Sequence, residues 1–181
     1  MNEWLGGFLN GKSVKREMEK SIIRTYGVFI TVFILTFYGL GASIIDHYVI
    51  YPTLPLIGEN EFVAYYAAFS PRILLFLVLP VILQTVLSIL LLWLRPKAIP
   101  LGMVLFALAC QIVRWISTVF VQVPIQIQLG KGKNLELINT LMQTGLIRTL
   151  SNVVGAAIIV WMLFAVLRSL VEVPNNTSVR T

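Results

Sequence analysis

Residues 73–94 read ILLFLVLPVILQTVLSILLLWL, a run of twenty-two positions without one charged side chain. A helix needs about 20 predominantly apolar residues to cross the roughly 30 Å hydrocarbon layer of a bilayer. Three further runs approach or exceed this length, and we predict spans over 26–45, 101–121 and 146–167 as well. The four runs are continuous and do not alternate with polar residues. They are therefore predicted to be helices and not strands of a membrane barrel.

The composition of the whole chain agrees with a membrane protein. Apolar residues make up 57% of the 181 residues and charged residues 12%, whereas a soluble domain carries about 25% charged residues. We predict an all-α fold, an antiparallel bundle of four transmembrane helices over 26–168. Residues 1–25 are predicted to be a cytoplasmic juxtamembrane segment and 169–181 a disordered cytoplasmic tail. Short helical segments are expected in the outer loops, over 59–69 and over 135–143, the second capped by Asn134.

The distribution of lysine and arginine predicts the orientation, because cytoplasmic flanks carry the excess of these residues. Nine of the fourteen basic residues lie before the first span, between the second and third, or after the fourth: Lys12, Lys15, Arg16, Lys20, Arg24, Arg95, Lys97, Arg168 and Arg180. The other five lie at the opposite, outer side: Arg72, Arg114, Lys131, Lys133 and Arg148. Both termini are therefore predicted to be cytoplasmic. The net charge of +6 follows from this bias, so no nucleic-acid partner is predicted.

Arginines at or inside the outer ends of the spans are the first candidates for a site. A guanidinium in hydrocarbon is costly, so it usually faces a bundle interior, a cavity or a partner charge. Arg114 lies about eight residues inside its span, or about 12 Å deep at 1.5 Å per residue. Three interpretations stay open for Arg114: a structural role, a bond to an anionic, carbonyl or quinone-like ligand, and snorkelling to the lipid surface. Arg148 begins the fourth span, where helix packing is the simpler explanation.

Four further polar residues belong to the same predicted site: Asp46, His47, Gln122 and Gln126. Asp46 ends the first span and is the best-placed carboxylate partner for an outer arginine. His47 is the only histidine. The two glutamines lie near the exit of the third span, where their amides could bind backbone or a polar ligand. One histidine and one cysteine do not provide a metal site or a redox pair, so we predict no bound metal and no cofactor.

Three stretches of the chain resemble a known family. They are DHYVIYPTLPLIGENEFVAYY from Asp46, VPIQIQLGKG from Val123 and LIRTLSNVVGAAIIVWML from Leu146. Together they resemble the four-helix membrane proteins described as anthrone oxygenase-like, a family with many bacterial members. The residues that match its pattern at the exit of the third span and the start of the fourth are Val123, Pro124, Gln126, Arg148 and Thr149.

The resemblance implies a bacterial inner-membrane protein with a site for a lipophilic phenolic or carbonyl compound. Members of the family often carry histidine or asparagine just before the Arg-Thr pair, where this chain has Leu146 and Ile147. It therefore lacks that proton-transfer group beside Arg148, and whether the site is catalytic stays open. The alternative function is a non-enzymatic accessory or structural subunit of a larger membrane complex. The predicted partners are membrane lipids, a lipophilic small molecule, and a membrane protein or a second copy of the chain.

Overall fold

The computed structural model describes residues 2–171, with side chains from residue 14 onward. Within those residues the secondary structure is helical, without a strand. Four helical segments are long and apolar enough to cross a membrane: Val14–Leu56, Glu59–Leu94, Leu101–Leu129 and Leu135–Val171. We refer to them as the first to fourth spans. The prediction of an all-α, four-helix fold is confirmed, and the architecture is that of a multi-pass membrane protein.

The spans are built from α-helices joined by π-helical and 3₁₀ turns. The helices are α1 (Asn2–Ile45), α2 (Tyr51–Thr53), α3 (Glu59–Ile73), α4 (Leu79–Leu94), α5 (Leu101–Ser117), α6 (Val123–Leu129) and α7 (Leu135–Val171). The π-helical turns are Asp46–Ile50, Leu74–Val78 and Thr118–Gln122, and the 3₁₀ turn is Leu54–Leu56. The first three spans therefore each contain one π-helical turn, whereas the fourth is a single α-helix.

Each π-helical turn lies directly before a helix whose second residue is proline: Pro52, Pro80 or Pro124. Proline has no N–H, and its ring clashes with the carbonyl four residues earlier, so a regular α-helix is interrupted there. The wider π-helical turn accommodates this interruption without ending the span. In the second span the carbonyl four residues before Pro80 belongs to Phe76. The Tyr38 hydroxyl donates a hydrogen bond to it at 2.7 Å, so it remains satisfied.

Two apolar clusters fill the interior, one at each end of the bundle. We call the end that holds Gly58 and Gly130 the outer end, following the predicted orientation. The cluster at the inner end includes Phe29, Val32, Leu91, Ile99, Val104, Ile159 and Met162. The cluster at the outer end includes Tyr51, Leu54, Phe62, Tyr66, Leu129, Ile138 and Leu141. Polar side chains lie between the two clusters, while large apolar side chains cover the outward faces, as expected for surfaces in contact with acyl chains.

The segments predicted as separate outer helices are instead the first turns of spans. Residues 59–69 lie in α3 and residues 135–143 in α7, and both helices continue into the membrane-spanning part. The predicted cap is confirmed, because the backbone N–H of Leu137 donates to Asn134 Oδ1 at 3.1 Å. Residues 172–181, most of the predicted tail, lie outside the described residues. The backbone of α1 covers 2–25, and the first span begins within this segment, at Val14.

A lysine that the sequence did not single out joins the two outer connections. Lys133 Nζ donates to the carbonyl of Pro55 at 2.8 Å and to that of Ile57 at 2.6 Å. Both carbonyls lie at the end of the first span, where a helix leaves acceptors without intrahelical partners. The Lys133 ammonium therefore fixes the outer end of the first span against the start of the fourth.

Candidate functional site

Arg148 joins the fourth span to the first and the third. Its Nη2 donates to Asp46 Oδ2 at 3.0 Å and to the Tyr51 hydroxyl at 3.1 Å, and its Nη1 donates to Gln122 Oε1 at 2.8 Å. The guanidinium carbon also lies 5.9 Å from the centre of the Tyr51 ring, within the range of a cation–π contact. Asp46 is only 2% exposed, so this is a buried ion pair. The hydrogen bonds that Arg148 donates to Tyr51 and Gln122 help to offset the desolvation of the pair.

Arg114 lies one layer deeper and is held by amide groups. Its Nη1 donates to Asn152 Oδ1 at 2.8 Å, and both Nη1 and Nη2 donate to Gln84 Oε1 at 3.2 Å. Gln84 in turn donates through Nε2 to the Thr36 hydroxyl at 2.9 Å. Each of these four residues comes from a different span, so the network connects all four spans. Arg114 is 4% exposed, and no carboxylate of residues 14–171 lies within ion-pair distance of it.

A cavity of about 90 Å³ lies between the two arginines. Its polar wall is formed by Ser43, Asp46, Arg114, Gln122, Gln126, Arg148 and Asn152. Its apolar wall is formed by Ile73, Leu77, Val78 and Val81 of the second span with Trp115 and Val123 of the third. A buried water requires about 10–15 Å³, so the cavity has room for several waters or for the polar group of a ligand.

Four residues of the polar wall keep hydrogen-bonding capacity that the described residues do not use. Asp46 Oδ1, Gln122 Nε2 and the Nε atoms of Arg114 and Arg148 are buried and have no partner there. The orientation of the Gln122 amide follows from Arg148, because a guanidinium carries only donors and must be met by the amide oxygen. A buried polar group without a partner costs about 1–3 kcal/mol. The polar wall therefore favours an occupant that can donate and accept hydrogen bonds.

No protein-family model, curated protein or solved structure matches the chain. The resemblance to anthrone oxygenase-like proteins therefore stays a prediction, and the cavity is interpreted from its own chemistry.

The predicted site residues are brought together with one exception. Arg114, Arg148, Asp46, Gln122 and Gln126 all line the cavity; a role in ligand binding stays a prediction for each. His47 does not line it. Its ring lies beside Gly145 of α7 and stands edge-on to Tyr48, with the ring centres 4.6 Å apart.

Sequence reasoning missed part of the network around the arginines. Gln84, Thr36, Tyr51 and Asn152 were not among the residues predicted for the site. Asn152 lies one turn from Arg148 on the same helix face, but it accepts a hydrogen bond from Arg114. The available signal was Gln84 itself, because an amide inside the apolar run 73–94 has to find a polar partner away from lipid.

Proposed function

We propose that the protein binds a lipophilic small molecule in the cavity between Arg114 and Arg148, through a carbonyl, phenolic or carboxylate oxygen of that molecule. The observation that carries the proposal is the charge of Arg114. Asp46 neutralises Arg148 at 3.0 Å, whereas neutral amide oxygens alone meet Arg114. A buried cation without a carboxylate partner favours an anion, or an oxygen that gains negative charge, in the cavity beside it.

The chemistry of the cavity suits such a ligand. Donors on the polar wall come from the two guanidinium groups and from Gln122 Nε2, and Asp46 Oδ1 adds an acceptor. The apolar wall of Ile73, Leu77 and Val81 would contact the hydrocarbon part of the molecule. A few polar groups that fix orientation on an otherwise apolar surface are typical of small-molecule sites.

Catalysis of the kind implied by the anthrone oxygenase-like resemblance is an extension of this proposal. Arg114 would then stabilise an enolate or phenolate as its charge develops in a low-dielectric site. Asp46 is the carboxylate on the cavity wall, and it already accepts a hydrogen bond from Arg148. Asp46 could therefore accept a proton only if its ion pair with Arg148 were broken. This favours ligand binding without catalysis as the function of the cavity.

One observation favours the second candidate, a structural subunit of a larger membrane complex. The Asp46–Arg148 pair connects the first and fourth spans, and its two charges neutralise each other without a ligand. This accounts for Arg148 as an element of the architecture. It does not account for Arg114, which has no such partner among residues 14–171.

The proposed setting is the bacterial inner membrane, with both termini in the cytoplasm. The excess of lysine and arginine on one side of the four spans supports the orientation. The resemblance to bacterial members of the anthrone oxygenase-like family supports the compartment.

Mass spectrometry of the protein purified in mild detergent from native membranes tests the proposal. We expect a stoichiometric lipophilic compound in the unmodified protein that is lost in Arg114→Leu. Arg72→Leu is the matched control, because Arg72 is an exposed arginine of the outer half and does not line the cavity. A stoichiometric protein partner without any small molecule would contradict the binding proposal and support the subunit function.

A further inference from the structure

The size of the cavity limits the part of a ligand that fits inside it. A protein cavity of about 150 Å³ is known to admit benzene, and the space between Arg114 and Arg148 measures about 90 Å³. A fused ring system therefore does not fit within it. A carboxylate on an unbranched chain is slimmer, and only its head and first methylenes need to enter.

One edge of the Arg114 guanidinium has no hydrogen-bond partner among the described residues. A guanidinium has five N–H donors, and Arg114 uses Nη1 for Gln84 and Asn152 and one hydrogen of Nη2 for Gln84. The Nε–H has no partner among the described residues, and the second hydrogen of Nη2 is likewise not used in these bonds. These two N–H groups lie side by side and point the same way, the arrangement that binds a carboxylate through both its oxygens.

The second and third spans leave an opening beside the cavity. Among the described residues, α1 packs closely on α4 and α7, and α5 packs on α7, but no comparable packing joins the turn Leu74–Val78 to the third span. Leu77 and Val78 on one side and Thr118 on the other line the cavity and are partly exposed. In a bilayer, this part of the surface faces acyl chains.

The opening is closed both above and below. Toward the inner end, Trp115 Nε1 donates to Thr85 Oγ1 at 3.0 Å and bridges the third and second spans. Toward the outer end, Phe62, Tyr66 and Leu129 are almost completely buried in the outer apolar cluster. A ligand would therefore reach the cavity sideways from the lipid and not from the outer aqueous phase.

We propose that the cavity holds the carboxylate of a long-chain fatty acid, with the acyl chain extending into the bilayer between the second and third spans. This inference rests on the proposed binding function and narrows its ligand. The carboxylate binds the Nε–Nη2 edge of Arg114 and supplies the negative charge that the surrounding residues lack. Gln122 Nε2 is a further donor on the same wall.

Binding of radiolabelled oleate to the full-length protein in a non-ionic detergent tests the role of charge. We expect stoichiometric binding that excess unlabelled oleate displaces and excess oleyl alcohol does not, because the alcohol has the same chain without the charge. Arg114→Leu should weaken binding by about ten- to a hundredfold, the range for a hydrogen bond to a charged group. Arg72→Leu, the exposed control, should bind oleate like the unmodified protein.

A second pair of variants tests the lateral route without touching an arginine. Leu77→Trp adds bulk on the cavity wall, so it should weaken oleate binding by about tenfold or more, an effect of the size that overpacking produces. Leu79→Trp places the same ring two residues away on an exposed position that does not line the cavity. It should leave oleate binding unchanged.

The outcomes separate this inference from the function on which it rests. If a long-chain ketone binds in a manner that depends on Arg114 while oleate does not bind, the binding function stands and the fatty-acid inference is wrong. Equal displacement by oleate and oleyl alcohol would also overturn it, since the charge would not be recognised. If neither oleate nor the ketone binds and no small molecule co-purifies, both proposals fail.

Discussion

Two buried arginines at neighbouring depths differ in what neutralises them. Arg148 is 9% exposed and forms an ion pair with Asp46. Arg114 is 4% exposed and is met by Gln84 and Asn152. Removing Arg148 leaves a buried carboxylate without its countercharge, whereas removing Arg114 leaves only neutral amides. The same type of substitution should therefore have different effects on the stability of the protein.

We expect Arg148→Leu to lower the free energy of unfolding by about 3–5 kcal/mol, the usual cost of breaking a buried ion pair from one side. Chemical unfolding in detergent micelles, followed by tryptophan fluorescence, measures this change. The double variant Asp46→Leu/Arg148→Leu should recover most of the loss, because it leaves neither charge buried. Arg72→Leu should stay within about 0.5 kcal/mol of the unmodified protein. If Arg148→Leu lowered the free energy of unfolding by no more than Arg72→Leu does, the assignment of Arg148 and Asp46 as a stabilising buried ion pair would be contradicted.

Single residues show how far the candidate site can be read from sequence. The depth of Arg114 and the position of Asp46 at the end of its span were sufficient to predict a polar interior near the outer end. The hydrogen bond between Arg114 and Asn152 was not predictable in the same way. Spacing along α7 gives the helix face that Asn152 shares with Arg148, but it does not give the residue that another span brings to the same depth.

The π-helical turns position the polar wall of the cavity. Asp46 is the first residue of one such turn and Gln122 the last residue of another, and each turn lies before a proline. The sequence reveals the prolines, but a π-helical turn changes which faces of the helix point inward. For this reason the face of each glutamine around Pro124 was difficult to predict. Gln122 and Gln126 line the cavity, while Gln128 is exposed.

Two glycines of α7 allow a matched test of how closely that helix approaches the turn Asp46–Ile50. A Cβ atom at Gly145 would lie 3.2 Å from His47 Nδ1 and 3.4 Å from the Tyr51 ring, whereas one at Gly155 would meet no atom within 4 Å. We expect Gly145→Ala to lower the free energy of unfolding by about 1 kcal/mol, because overpacking outweighs the gain in helix propensity. Chemical unfolding of the purified protein measures it.

Gly155→Ala serves as the control for that substitution. It should raise the free energy of unfolding by about 0.5–1 kcal/mol, since alanine favours the helix and has room there. Equal stabilisation by both substitutions would show that His47 and Tyr51 can move away from α7. In that case the turn Asp46–Ile50 would be looser than its contacts with Gly145 imply.

The whole molecule was predictable in its class but not in its packing. Apolar runs of sufficient length fix the number of spans, because a helix must satisfy its own backbone in lipid. They do not fix which faces meet, since acyl chains are as apolar as leucine and hydrophobicity does not distinguish a lipid-facing side from a buried one. The buried polar residues supply that information. Thr36, Gln84, Arg114 and Asn152 meet because each has to avoid lipid.

The orientation of the bundle is a property of the whole molecule that the positive residues predict. We expect the connection that holds Lys97 to be cytoplasmic and the connection that holds Lys131 to be external. Cys110 is the single cysteine, so the variant Cys110→Ala contains no thiol and should not react with a thiol reagent. This variant is the starting point for the labelling experiment. Lys97→Cys and Lys131→Cys are then introduced one at a time and treated in intact bacteria with a membrane-impermeant maleimide.

Lys131→Cys should be labelled in intact cells, and Lys97→Cys only after the membrane is permeabilised. The two positions carry the same substitution in short polar connections, so a difference in labelling reports sidedness and not reactivity. The reverse pattern would place Arg114, Arg148 and their cavity in the cytoplasmic half of the membrane. A lateral ligand would then enter from the inner leaflet. The side on which Lys131→Cys reacts thus also determines which leaflet must supply any molecule that the cavity binds.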